Sequence, residues 1–172
     1  MAVAASGCAG SAAQGPALGS TDGPRWMQLG DGAFLCRGKW VLRTLGQAHL
    51  DNEKFAAKAA GKKGRHAMDR FIRDWVTHLI RTHHKGRGTD LGVIDNTVRQ
   101  LAEAANRRSK TLETHRDTNG RTTALVQLRV DAAIEAWKGL NWNERGVEPF
   151  VMKDAARAFR DQKDPVEVCQ SE

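Results

Sequence analysis

The chain has 172 residues, a formal charge of +7 and a sequence pI near 9.7, one ordinary domain's worth of polypeptide. Apolar residues make up 40% and five are tryptophan, enough for a core, yet no run approaches the roughly 18 apolar residues of a membrane span. Cys8, Cys36 and Cys169 are odd in number and far apart; they suggest neither a disulfide framework nor zinc spacing, and so a reducing, intracellular compartment, cytoplasmic by default.

Residues 1–24 are rich in Ala, Gly and Ser, with neither the charged start nor the unbroken apolar run of a secretory signal. Such a segment buries too little apolar surface to offset its ordering entropy, which makes it a tail. The expected organisation is this tail, one helical domain over 25–164 and a short C-terminal tail over 165–172.

In the domain, Phe34, Leu35, Gly38, Val41, Leu42 and Leu45 fit one helical face, with Asp31 as a cap and Gly46 as a stop. A second short helix fits 51–61, capped by Asp51 or Asn52 and ended by Gly61. Met68, Phe71, Ile72, Trp75 and Leu79 form the stripe of a third, ended by Gly86 and Gly88. Leu91, Ile94, Val98, Leu101 and Ala105 mark a fourth, finishing in the cations of "NRRSK". The Asn119-Gly120 turn leads to a fifth helix reaching about Gly139, with a wide apolar arc. Pro149 suits the first turn of a sixth, which would bury Met152, Ala155, Ala156 and Phe159. The fold expected is therefore all-α, a compact bundle of five to six helices.

Charge is unevenly spread. From Lys54 to Arg87 ten basic residues face two acidic ones, a net of +8, whereas from Thr122 onward seven basic residues meet nine acidic ones, a net of −2. A surplus concentrated in one third of the chain suggests a surface for a polyanion. Within it, "AAKAAGKKGRH" (56–66) interleaves small residues with Lys58, Lys62, Lys63 and Arg65. Such a segment could lie along a phosphate backbone without reading sequence, or be a solvated linker.

The stretch "LIRTHHKGRGTD" (79–90) sits in the same region. His78, His83 and His84 diverge around a helix and lack the three- or four-residue spacing of a metal pair. The glycine loop is not a phosphate-binding P-loop signature. What remains is Lys85 and Arg87 on a glycine-flexed loop, suited to phosphate contact or to an ordinary helix connection.

Residues 98–117, "VRQLAEAANRRSKTLETHRD", resemble the helix-turn-helix of DNA-binding repressors. Ala102 takes the small position, Asn106 the turn and Leu112 the inward position of the second helix. The resemblance implies that Ser109, Lys110 and Thr111 face the groove while Arg107 and Arg108 lie near the backbone. Arg107 and His115 depart from it, standing where apolar residues are expected. Arg129 falls near the middle of the apolar arc of the fifth helix, so it either meets a carboxylate, snorkels to the rim or lines a pocket for an anion.

No nucleophile with its base, carboxylate dyad, cofactor fingerprint or metal set is visible, and the absence of tyrosine excludes a tyrosine nucleophile. The reading is a non-enzymatic nucleic-acid-binding protein with a basic face over 54–121, DNA or RNA undecided. It has no cofactor or metal. The alternative is a structural subunit of a large protein or ribonucleoprotein assembly, with protein partners held through the tail and through Trp26, Trp40 and Trp142.

Overall fold

The computed structural model describes residues 23–83, 91–140, 148–155, 157–159 and 165–169. It is an α+β fold and not a helical bundle. A five-stranded mixed sheet curls as a half-barrel, ordered β3-β4-β2-β1-β5. In chain order the elements are α1 (Arg25–Leu29), β1 (Gly32–Cys36), β2 (Lys39–His49), α2 (Glu53–His83), α3 (Leu91–Asn106), β3 (Lys110–Arg116), β4 (Arg121–Arg129), α4 (Val130–Lys138) and α5 (Glu148–Ala155). A 3-10 turn (Arg157–Phe159) and β5 (Glu167–Cys169) complete them.

The first expected helix is a hairpin. Arg37 and Gly38 both take positive φ (51° and 72°), the signature of a two-residue I′ turn, and Phe34 pairs with Val41 across it. Asp31 caps no helix; its Oδ1 accepts a hydrogen bond from the Leu45 N–H at 2.7 Å. The helical reading failed because β2 is buried on both faces: Val41, Leu42, Arg43 and Thr44 are consecutive and all buried. A strand covered on both sides loses the polar alternation that would mark it.

The second error has the same origin. Arg121–Arg129 is β4, buried without interruption from Thr122 to Val126, and only Val130–Lys138 of the expected fifth helix is helical. The Asn119-Gly120 turn stands: Gly120 has φ 77°, and Asp117 Oδ1 accepts the N–H groups of Asn119 and Arg121, both at 2.9 Å.

The second and third expected helices are one. Asn52 caps it, its Oδ1 accepting the Phe55 N–H at 3.1 Å, and α2 then runs unbroken through Gly61 for 31 residues. Gly61 and Gly64 do not stop the helix; they let it lie against the sheet. A Cβ on Gly46 of β2 would stand 2.0 Å from the Ala60 carbonyl oxygen and 2.2 Å from the Gly64 nitrogen, and one on Gly64 would stand 2.6 Å from Val126 Cγ2. At this crossing Thr44 Oγ1 donates to the Gly64 carbonyl at 2.8 Å.

Beyond the crossing, the core widens. Met68, Ile72, Val76 and Ile80 of α2 pack with Leu42, Val126, Leu128, Leu101 of α3, Ala133 and Trp137 of α4, and Val151 and Ala155 of α5. Trp75 lies 5.2 Å from Trp137 and 5.0 Å from Phe159, which in turn lies 5.6 Å from Trp40. The Trp137 indole N–H donates to the Leu101 carbonyl at 2.9 Å, tying α4 to α3.

The segment beyond the 3-10 turn carries a strand and a disulfide. Residues 167–169 form β5, parallel to β1, and Cys169 is disulfide-bonded to Cys36, with Cα atoms 4.7 Å apart. The expectation of a reducing compartment rested on unpaired cysteines and loses that basis. The Ala/Gly/Ser tail lies outside the described residues up to position 22. No helix among the described residues is long and apolar enough to cross a membrane.

The crossing gives a direct test. Gly46→Ala or Gly64→Ala should cost about 3 kcal/mol or more, the first because helix backbone must move and the second because the buried, β-branched Val126 side chain has no room to yield. Gly61→Ala should cost less, since its added Cβ meets the Thr111 hydroxyl at 3.0 Å and a side chain can turn away. Thermal or urea unfolding of the three variants reads the order directly.

Candidate nucleic-acid interface

Because the inner face of α2 is committed to the sheet, its polar residues fall on the opposite face. Lys58, Lys62, Lys63 and Arg65 are all exposed there. With α2 continuous through Gly61, a longer pattern becomes visible that sequence reading had cut in two. Lys54, Lys58, Lys62, His66 and Arg70 repeat every fourth residue, all five exposed. Successive members of such a row are offset by about 40° and rise about 6 Å, so the row forms an inclined ridge about 24 Å long. Lys54, Lys58, Lys62 and Lys63 make no hydrogen bond or ion pair with any described residue. Like charges at this spacing each destabilise a helix by about 0.2–0.5 kcal/mol, so the row brings the fold no stability.

Beside the ridge, α3 ends at Asn106 and the chain turns into β3. Arg65, Asp69, Glu103, Asn106, Arg107 and Ser109 line an open groove of about 450 Å³. The turn is anchored to α2: Asn106 Nδ2 donates to the Arg65 carbonyl at 3.1 Å, and Arg65 Nη1 donates to Thr111 Oγ1 at 3.3 Å. Ser109 Oγ donates to the Asn106 carbonyl at 2.7 Å. Two candidate arginines far apart in sequence, Arg65 and Arg107, thus share one groove. Arg108, in the turn, and Lys110, which opens β3, are exposed at its margin. One carboxylate of the groove, Asp69, is engaged by Arg73 at 2.7 Å.

The helix-turn-helix resemblance does not survive this geometry. Ala102 is buried and Asn106 does stand at a helix end, but Lys110–Arg116 is an edge strand, so the second helix does not exist. Leu112, expected to point inward, is 46% exposed at a β-bulge between Thr111 and Glu113. Lys85 and Arg87 lie outside the described residues, as does His84; α2 ends at His83.

Arg129 does not lie in the middle of a buried arc. It ends β4 with its side chain 53% exposed and forms a two-pronged pair with Asp131: Nε to Oδ1 at 2.9 Å, and Nη2 to Oδ2. Lys39 also approaches Asp131 at 3.6 Å. Of the tryptophans read as interface anchors, Trp26 is buried on α1, Trp40 packs on Phe159, and Trp142 lies outside the described residues.

Sequence reading missed Lys54, His66 and Arg70. The fourfold spacing was present in the sequence, but it means a ridge only if the helix is unbroken. No protein-family model matches the chain, and no curated protein matches it in sequence.

The Arg129 hydrogen bonds hold the Asp131 carboxyl below its ordinary value. A lowered folded-state value means stability that is present above the ordinary carboxylate range and lost as pH falls through the folded value. Both groups are about half exposed, so screening limits the pair to about 1 kcal/mol at most. Arg129→Ala should lower the melting temperature at about pH 7, and the difference from the wild type should shrink as pH falls below the ordinary carboxylate range and vanish only below the lowered Asp131 value.

Proposed function

We propose that this protein binds nucleic acid through the outer face of α2 and the adjoining turn from α3 to β3, by neutralising phosphates with little sequence reading. The observation that carries the proposal is the ridge of Lys54, Lys58, Lys62 and Arg70, with His66 in the same row. Its lysines are exposed, mutually repelling and without carboxylate partners among the described residues, and Arg70 is exposed at the far end of the row, where it also feels the Asp31 carboxylate. Its length of about 24 Å equals the axial rise of roughly seven phosphates on one strand of a duplex, at about 3.4 Å each. Arg65 and Arg107 in the groove, with Arg108 and Lys110 at its margin, widen the positive surface to one side. The guanidiniums suit two-pronged contact with phosphate oxygens, and the lysines act as point charges along the backbone. The charge count brings Lys85 and Arg87 into the same surplus.

This reading assigns no catalytic group, cofactor or metal, and it is neutral between DNA and RNA. The test is binding to a labelled DNA duplex and to single-stranded RNA across a salt series. Lys58→Ala with Lys62→Ala should weaken binding irrespective of sequence. It should also lower the slope of log affinity against log salt by about 1.8 on the duplex, at about 0.9 per lost phosphate contact. Lys138→Ala is the control, since Lys138 lies on α4 and pairs with Glu135; its slope should equal the wild type's. An unchanged slope in the ridge variant, or no binding to either ligand, would remove the proposal.

A further inference from the structure

The Cys36–Cys169 bond has an unusual neighbour. Arg43 is 6% exposed, its Nε donates to Gln127 Oε1 at 2.8 Å, and its Nη2 lies 3.6 Å from Cys169 Sγ. Gly32, its cross-strand partner on β1, offers no side chain. No carboxylate lies within ion-pair distance of this guanidinium among the described residues; Glu113 acts on it only at longer range. The two sulfurs are thus unequal. A thiolate forming on Cys169 would meet a positive charge, whereas Cys36 sits at the end of β1 against the exposed Arg37-Gly38 turn.

We infer that the Cys36–Cys169 bond is a thiol-exchange site: an external small thiol attacks Cys36, and Cys169 leaves as a thiolate held by Arg43. In the first step the incoming thiolate bonds to Cys36 Sγ. The sulfur–sulfur bond breaks and its electron pair goes to Cys169 Sγ, leaving a mixed disulfide on Cys36. A second thiol attacks the incoming sulfur and releases the Cys36 thiolate. The net change is two thiols oxidised to one disulfide and the protein bond reduced to two thiols. Exchange is favoured by the better leaving group, and a neighbouring cation makes a thiolate one. The exposed charge of Arg37 suits an anionic thiol such as glutathione; Lys39, which pairs with Cys36 across the hairpin, shares its charge with Asp131 at 3.6 Å. Glu167, two residues before Cys169, also stands beside the bond; its Oε1 accepts the Arg37 N–H at 2.8 Å.

Exchange also loosens a strand. β5 is three residues long; besides the sulfur bond, a short and irregular parallel ladder joins it to β1 at Leu35–Glu167 and Cys36–Cys169, flanked by the Leu35 N–H to the Val166 carbonyl at 3.0 Å and by the Arg37–Glu167 contact.

The test uses the full chain carrying Cys8→Ser, purified oxidised, exposed briefly to glutathione, acid-quenched and mapped by peptide mass spectrometry. The adduct should sit on Cys36, with Cys169 free. Arg43→Gln should slow the exchange about tenfold, and Arg43→Lys should restore most of the rate. In the fully reduced protein, needing no Arg43 variant, iodoacetamide should alkylate Cys169 at lower pH than Cys36. An adduct on Cys169, equal pH profiles for the two thiols, or oxidised protein lacking the Cys36–Cys169 bond would overturn the inference.

Discussion

The fold hangs on the place where α2 crosses β2. Gly46 and Gly64 bring helix backbone and strand backbone together with no side chain between them, and the Thr44 hydroxyl fixes the register by bonding the Gly64 carbonyl. Glycine inside a helix costs about 1 kcal/mol relative to alanine, and α2 carries two of them within one turn. That cost is offset by letting the sheet curl around the helix, with Ala48, Ala60 and Ala124 filling the narrow space beside the contact. Further along, where larger residues return at Met68, Ile72 and Trp75, helix and sheet separate and leave room for α3, α4 and α5 to close the core.

The same crossing organises the surface. A helix pressed down on one side by alanine and glycine needs no large apolar residue over that length, so its remaining positions are free to be charged. The segment 56–66 therefore has two patterns superposed. Ala56, Ala60, Gly61 and Gly64 face inward, while Lys58, Lys62, Lys63, Arg65 and His66 face solvent. Smallness belongs to the packing and charge to the ridge. Reading the segment from sequence merged them, as though small residues served the approach of a phosphate backbone.

What could be read in the sequence follows from how local each signal is. α3 was legible because its apolar stripe lies on one face of a self-contained period. The Asn52 cap, the Asn119-Gly120 turn and the start of α5 near Pro149 were legible because each is a contact or preference within a few residues. β2 and β4 were not. Their burial on both faces removes alternation, and Phe34, Val41, Leu42 and Leu45 happen to satisfy a helical period as well. The continuity of α2 was hidden because the reason for Gly61 and Gly64 lies on other elements, at Thr111, Gly46 and Val126. The disulfide was hidden because its partners are 133 residues apart. For the candidate interface, the cations of 54–70 were visible as a count; their alignment, and the meeting of Arg65 with Arg107, depend on long-range packing.

The pairing of β5 with β1 has a consequence for synthesis. The sheet's first hairpin is made within the opening third of the chain, yet its outer neighbour is supplied by residues 167–169. A nascent chain emerging from the ribosome therefore carries β1 as an open edge until residues 167–169 have been added. An open edge is a template for the wrong partner, and pairings this distant in sequence are slow to form. The interval between the birth of β1 and the arrival of β5 is thus the period in which the polypeptide is most exposed to aggregation, and a message truncated before residue 167 would prolong it indefinitely.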